Sequence, residues 1–147
     1  MEAQSRGRRG TGETVTALDE VSADQAIAID ELSGGRLILG IGPNNQEMIE
    51  AIGYAWKDTR VALRETTQML RCVFTGDASS DFPIAFRPTK HGVPTHLAAM
   101  ALETVELAGK IADGVMLYVA TRERFQQCVS RAERGARQAG RNPHHVL

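Results

Sequence analysis

From Leu18 to Val129, apolar residues fall alternately at helical spacing and in short unbroken runs. Residues 1–14 show no such period. They are polar and glycine-rich, and read as a disordered or poorly packed tail ahead of one domain over residues 15–147. Leu18, Val21, Ile29 and Leu32 then share one helical stripe, loosely, with Gln25 interrupting it. Ser33-Gly34-Gly35 ends that helix, because glycine takes the left-handed cap without a steric penalty. Leu37 to Ile41 is apolar without alternation, which predicts a strand covered on both faces. Gln46 to Ile52 predicts a short helix stopped by Gly53. Asp58 or Thr59 can cap a longer one carrying Leu63, Thr66, Leu70 and Val73 at helical spacing, which Gly76 stops.

Residues 77–92, with Pro83, Pro88 and Gly92, read as a connection or a degenerate insert. Pro94 opens a second strand at Thr95 to Ala98. Ala101 to Ala112 is a small-residue helix with Val105, Ala108 and Ala112 on one face, and Gly114 to Tyr118 is a third strand. Thr121 can cap a last helix whose stripe is Phe125, Cys128, Val129, Ala132 and Ala136. Asn142-Pro143 ends it, and residues 144–147 stop where a further strand should begin. Three strands each followed by a helix make an α/β chain with parallel pairing and right-handed crossovers, an incomplete (β/α) barrel of roughly three units. The length bounds this. At 147 residues the chain cannot hold the eight units of a complete barrel, which takes about 250.

Composition narrows the function classes. Net charge is -1, so no electrostatic footprint for nucleic acid or an anionic membrane is present, and Arg6, Arg8 and Arg9 read as a solvated tail. No run approaches the roughly 18 apolar residues that span a bilayer, and no apolar segment follows the basic start as in a secretory signal. Cys72 and Cys128 lie in helical patterns without metal-like spacing, so reduced thiols in a cytoplasmic protein are expected.

Two segments could carry chemistry. Gly40-Ile41-Gly42-Pro43-Asn44-Asn45 follows a strand and precedes a helix, which invites a dinucleotide reading. Asn45 stands where the third glycine of that fingerprint belongs, and Pro43 removes an amide donor. An ordinary tight turn, or a rim loop where Asn44 or Asn45 contacts a ligand, remain the other readings. The second segment runs from Pro94 to Gly114, where the small residues Ala98, Ala99 and Ala101 lead into a helix start. Small side chains there let an anion approach backbone amides, and the helix dipole favours it; a plain βα turn is the alternative. Asp113 reads as fixing the turn before the third strand rather than as a catalytic acid, and His96 as a core or rim histidine rather than a base. His144 and His145 lack acidic or thiol companions, so no metal is assigned. Trp56 and Tyr54 are expected to cover an edge, and no GxSxG nucleophile motif occurs.

The phrase Asp30-Glu31-Leu32-Ser33-Gly34-Gly35-Arg36, its strand and Gly40-Ile41-Gly42 closely resemble the luciferase-like flavin and deazaflavin oxidoreductases. A second block in the family's order matches Leu107-Ala108-Gly109 and Ala112-Asp113-Gly114. The resemblance implies a β/α barrel binding FMN or coenzyme F420 at its C-terminal rim, with monooxygenation or hydride transfer on a small organic substrate. It implies cofactor contacts from Gly42, Asn44, Asn45, Ala98, Ala99, Met100 and Ala101, although Ala101 stands where the family commonly has glycine. No catalytic residue is assigned. The opening strands that contact the isoalloxazine ring, and the closing units, have no counterpart in the chain. Two expectations follow: an oxidoreductase needing completion by another chain or by self-association through open sheet edges, or a non-catalytic remnant that serves as an interaction fragment.

Overall fold

The computed structural model describes residues 16–43, 45–51, 53, 55–76, 89, 92–118, 121–142 and 145–146. The elements run α1 (Thr16–Ser33), β1 (Leu39–Ile41), α2 (Gln46–Ala51), α3 (Thr59–Thr75), β2 (Thr95–Ala98), α4 (Leu102–Ile111), β3 (Gly114–Met116), α5 (Arg122–Gln138) and β4 (His145–Val146). The strands form one sheet in the order β1-β2-β3-β4, every pair parallel. Three strands were expected; His145–Val146 is a fourth, seated on β3 where the sequence stopped short of a strand. The tail over residues 1–14 and most of 77–92 lie outside the described residues.

Alternation along the strands sorts their side chains. Ile41, Leu97 and Val115 are cross-strand partners, and they pack under one cluster with Leu63, Val105, Ala108, Cys128 and Ala132 from α3, α4 and α5. Leu37, Leu39 and Ile41 join a second cluster with Ala23 and Ala26 of α1 and Met69, Leu70, Val73 and Phe74 of α3. The helices therefore cover one face of the sheet. The other face carries the row Gly40, His96, Gly114.

Two expectations are corrected. Helix α1 buries Ala23, Ala26 and Asp30, whereas Ile29 is 51% and Leu32 89% exposed. Small side chains let α1 lie close on the bulky Met69 and Phe74 of α3, so the larger stripe points away from that contact. The strand expected at Leu37 to Ile41 is shorter and is not covered on both faces: Ile38 is 54% exposed, and among the described residues β1 is the sheet's edge, paired with β2 alone. Asp30 is buried with neither carboxylate oxygen partnered among the described residues. Its carbonyl accepts the Gly35 amide at 2.9 Å and so helps end α1.

The other helix ends follow their chemistry. Asp58, rather than Thr59, caps α3 by accepting from the amides of Arg60 and Val61, and those two bonds hold its carboxyl below the usual range. Gly76 closes α3 in the left-handed conformation, φ 73. Thr121 caps α5 through the Arg124 amide. Between α4 and α5 the backbones touch. A Cβ at Gly109 would run into the Ala132 carbonyl, and one at Gly135 into the Glu106 carbonyl. Flanking that crossing, Glu106 meets Lys110 at 3.4 Å, Arg131 at 3.0 Å and also Arg134. Hydrogen bonds from Arg134 first and Arg131 second pull its carboxyl from 4.5 to about 2.

Replacing Gly109 with alanine should therefore destabilise the fold by about 1–3 kcal/mol in urea melts, against alanine's better helix propensity, while the exposed Gln126→Ala changes it by less than about 0.5 kcal/mol. A second expectation concerns acid. Because the Glu106 carboxyl is depressed in the folded chain, its contribution is present above pH 4.5 and is lost as pH falls from 4.5 towards 2. Glu106→Gln should lower stability at neutral pH and flatten that part of the acid limb, read as melting temperature against pH.

Candidate functional site

Parallel pairing brings the C-terminal ends of β1, β2 and β3 to one rim, where Ile41, Ala98 and Met116 hand over to loops. Gly42 and Ala98 meet there: a Cβ on Gly42 would sit 3.0 Å from that of Ala98. Below them the Met116 thioether lies over Gly40, where an added Cβ would come within 3.2 Å of the sulfur. Ala99 is buried, and its amide donates to the Met116 carbonyl at 3.1 Å, which stitches the rim between β2 and β3. Met100 is 64% exposed and Ala101 is exposed.

The feature that sets this rim apart is the start of α4. Its cap residue Ala101 is extended, with φ -76 and ψ 137, and offers no side-chain hydrogen bond. The first helical amide to find an intrahelical acceptor is that of Val105, bonded to the Ala101 carbonyl at 2.9 Å. The amides of Leu102, Glu103 and Thr104 thus point out of the helix without a side-chain cap, unlike those of α3 and α5. Beside them Arg124 donates to the Met100 carbonyl at 2.8 Å, so a guanidinium stands at the same turn. Uncapped amides, the positive end of a ten-residue helix and a neighbouring arginine are together suited to a phosphate. The exposed carboxylate of Glu103 opposes an anion there.

Of the expected contacts, the structure brings Gly42, Ala98, Ala99, Met100 and Ala101 to one rim. Asn45 has its Oδ1 engaged by the Met48 amide at 2.7 Å, capping α2, and Asn44 lies outside the described residues. Arg124 escaped the sequence reading. The signal available was an arginine in the first turn of a helix, where the dipole disfavours positive charge unless something else needs it.

The other candidates settle into the frame. Asp113 sits at the opposite end of the sheet: Oδ2 accepts the Thr95 amide at 3.0 Å, Oδ1 accepts Arg141 at 2.9 Å, and its own amide donates to the Thr95 carbonyl at 2.8 Å. It staples β2 to the turn before β3. His96 is buried against Gly114, where its ring leaves no room for a Cβ, and its Nδ1 has no partner among the described residues. Trp56 is 37% exposed, and Tyr54 and His144 lie outside the described residues. Cys72 and Cys128 are both free. Among the described residues no group of three metal-binding side chains occurs, and no helix is long and apolar enough to cross a membrane.

Known proteins share this layout. The family model described as luciferase-like monooxygenase matches residues 20–147. The 5,10-methylenetetrahydromethanopterin reductase of Methanolobus tindarius is 32% identical over 146 residues, covering 93% of this chain and 45% of that protein. The coenzyme F420-dependent tetrahydromethanopterin reductase from Methanopyrus kandleri superposes with a TM-score of 0.69 at 21% identity, over 89% of this chain and 45% of its own. An F420-dependent secondary alcohol dehydrogenase, solved with an F420–acetone adduct, gives 0.72 at 17% identity, over 87% and 43%. The chain thus spans about half the length of the relatives it matches. With both sequence blocks, the parallel α/β sheet and the family match in agreement, this chain belongs to the luciferase-like monooxygenase family.

Proposed function

We propose that this chain forms the phosphate-holding part of a coenzyme F420- or FMN-dependent oxidoreductase acting on a small organic substrate. The observation that carries the reading is the uncapped start of α4 beside Arg124 at the strands' C-terminal rim. The amides of Leu102, Glu103 and Thr104 would donate to the cofactor phosphate, and Arg124 would balance its charge. Gly42, Ala98 and Ala101 would leave room for the phosphate to reach the backbone, with Met100 beside it, and Asn44 and Asn45 are carried as further proposed cofactor contacts. Two F420-dependent structures and a methanopterin reductase among the similar proteins favour F420 over FMN. Such a cofactor, when bound, supplies hydride transfer or monooxygenation. The two free thiols accord with a cytoplasmic setting.

A second reading has its own observation. Among the described residues the sheet holds four strands with β1 at its edge, which supports an interaction fragment, or an enzyme completed by self-association or by another chain.

Two outcomes test these readings. In fluorescence titrations with F420 and with FMN, Ala101→Glu should weaken binding at least about tenfold by setting a carboxylate against the phosphate, and Arg124→Gln about three- to tenfold. Both positions lie off the core, so circular dichroism should be unchanged; equal affinity in mutants and parent would remove the site. The chain at dilutions where it is monomeric should show no robust cofactor-dependent turnover, measured as F420 or FMN reduction. Rapid turnover by a folded monomer would overturn the requirement for completion.

A further inference from the structure

We infer, on the phosphate reading above, that Glu103 sets the charge this site accepts, favouring a phosphate diester with a single negative charge over a phosphate monoester. The diester is the form found in coenzyme F420, and the monoester the form found in FMN. A monoester ionises a second time near pH 6, so at neutral pH it carries about -1.5 to -2.

Few charges stand at the start of α4. Arg124 supplies a guanidinium, with one nitrogen on the Met100 carbonyl at 2.8 Å and another 3.4 Å from Gln127 Oε1. Glu103 supplies a carboxylate in the first turn, exposed, and among the described residues it enters no ion pair. The arginines that share its groove between α3, α4 and α5 are engaged or stand elsewhere. Arg60 lies 3.6 Å from Asp58, and Arg131 and Arg134 meet Glu106. Arg64 also lines the adjoining groove beside Lys110 and Ile111, so it runs along the later turns of α4 rather than its start. Leu102 packs on the core and Val105 is fully buried, so the turn that carries Glu103 is anchored.

Covalent geometry couples this carboxylate to a ligand. The Glu103 amide is one of the three in the first turn of α4 without a side-chain cap. A phosphate oxygen accepting from it lies about 3 Å away. The carboxylate belongs to the same residue, and helical side chains lean towards the helix start. The two anions therefore sit within the Debye length of about 8–10 Å at physiological salt, and screening leaves much of their repulsion in place. With no anion bound, Glu103 complements the dipole of α4 and stabilises the free helix. With one bound, the same carboxylate opposes each negative charge brought to the amides. Arg124 offsets the first charge; for the second, no further cation stands at this turn among the described residues.

The test compares FMN with its monomethyl ester, riboflavin 5'-methylphosphate, which shares the ring and ribityl chain and lacks one ionisable oxygen. Fluorescence titrations of the whole chain at neutral pH give a Kd for each, with riboflavin as the ligand without phosphate. The parent should bind the ester at least as tightly as FMN. Glu103→Gln, at an exposed position that leaves circular dichroism unchanged, should move the affinity ratio towards FMN by about three- to tenfold. Riboflavin binding should not respond to it. A ratio that stays put in Glu103→Gln, while Ala101→Glu weakens both phosphate ligands, overturns the charge selection and leaves the phosphate reading standing. So does a parent that holds FMN more than about tenfold tighter than the ester. If Ala101→Glu affects neither ligand, or neither binds, the phosphate reading and this inference fall together.

Discussion

The backbones of α4 and α5 meet at Gly109 and Gly135 with no side chain between them, and the rest of the molecule is placed by that contact. Because the two helices cross so closely, Ala108, Ala112, Ala132 and Ala136 suffice to fill the space around them, and all four are fully buried. Small residues bury little area each, so the contact gains from dispersion across matched surfaces more than from large side chains. Glu106 then ties the outer edge of the crossing to Arg131 and Arg134. This surface ion network is partly screened, and the crossing's geometry rather than its charge sets the fold.

The crossing also fixes the rim. With α5 held against α4, its first turn brings Arg124 to the Met100 carbonyl, immediately before the α4 cap. The anion-suited corner is thus a product of helix packing. At the other end of the same strands, Asp113 ties the Thr95 amide and Arg141 together. One end of β2 is closed by side-chain bonds from Asp113, while beyond the other end the first amides of α4 have no side-chain cap among the described residues.

How much of this was legible depends on whether the signal was local. The caps at Asp58 and Thr121 and the strand Thr95–Ala98 could be read because their residue types act on atoms two to four positions away. The buried face of α1 could not. Its sequence carries two stripes, Ala23-Ala26-Asp30 and Ile29-Leu32, and only the shape of α3 decides which of them is buried. The strand β1 failed for a related reason: an apolar run signals burial, but edge or centre is set by how many partners the sheet supplies. Within the site, the alanines of the β2–α4 turn were readable from the α4 helix start. Arg124 was not, because it reaches that turn from 24 positions away.

The exposed stripe on α1 and the uncapped start of α4 share a cause. Each is a place where the local sequence leaves a physical demand unmet: apolar area facing water in one case, amides without a side-chain cap among the described residues in the other. Folded chains satisfy most such demands internally, as the caps of α3 and α5 do. Those that persist are where an outside group gains most by binding, since it replaces water rather than an existing partner. An anion suits the amides and an apolar helix flank suits the stripe. The two demands differ in kind, so each can be satisfied by a different partner, and the rim remains open to a cofactor whichever surface covers α1.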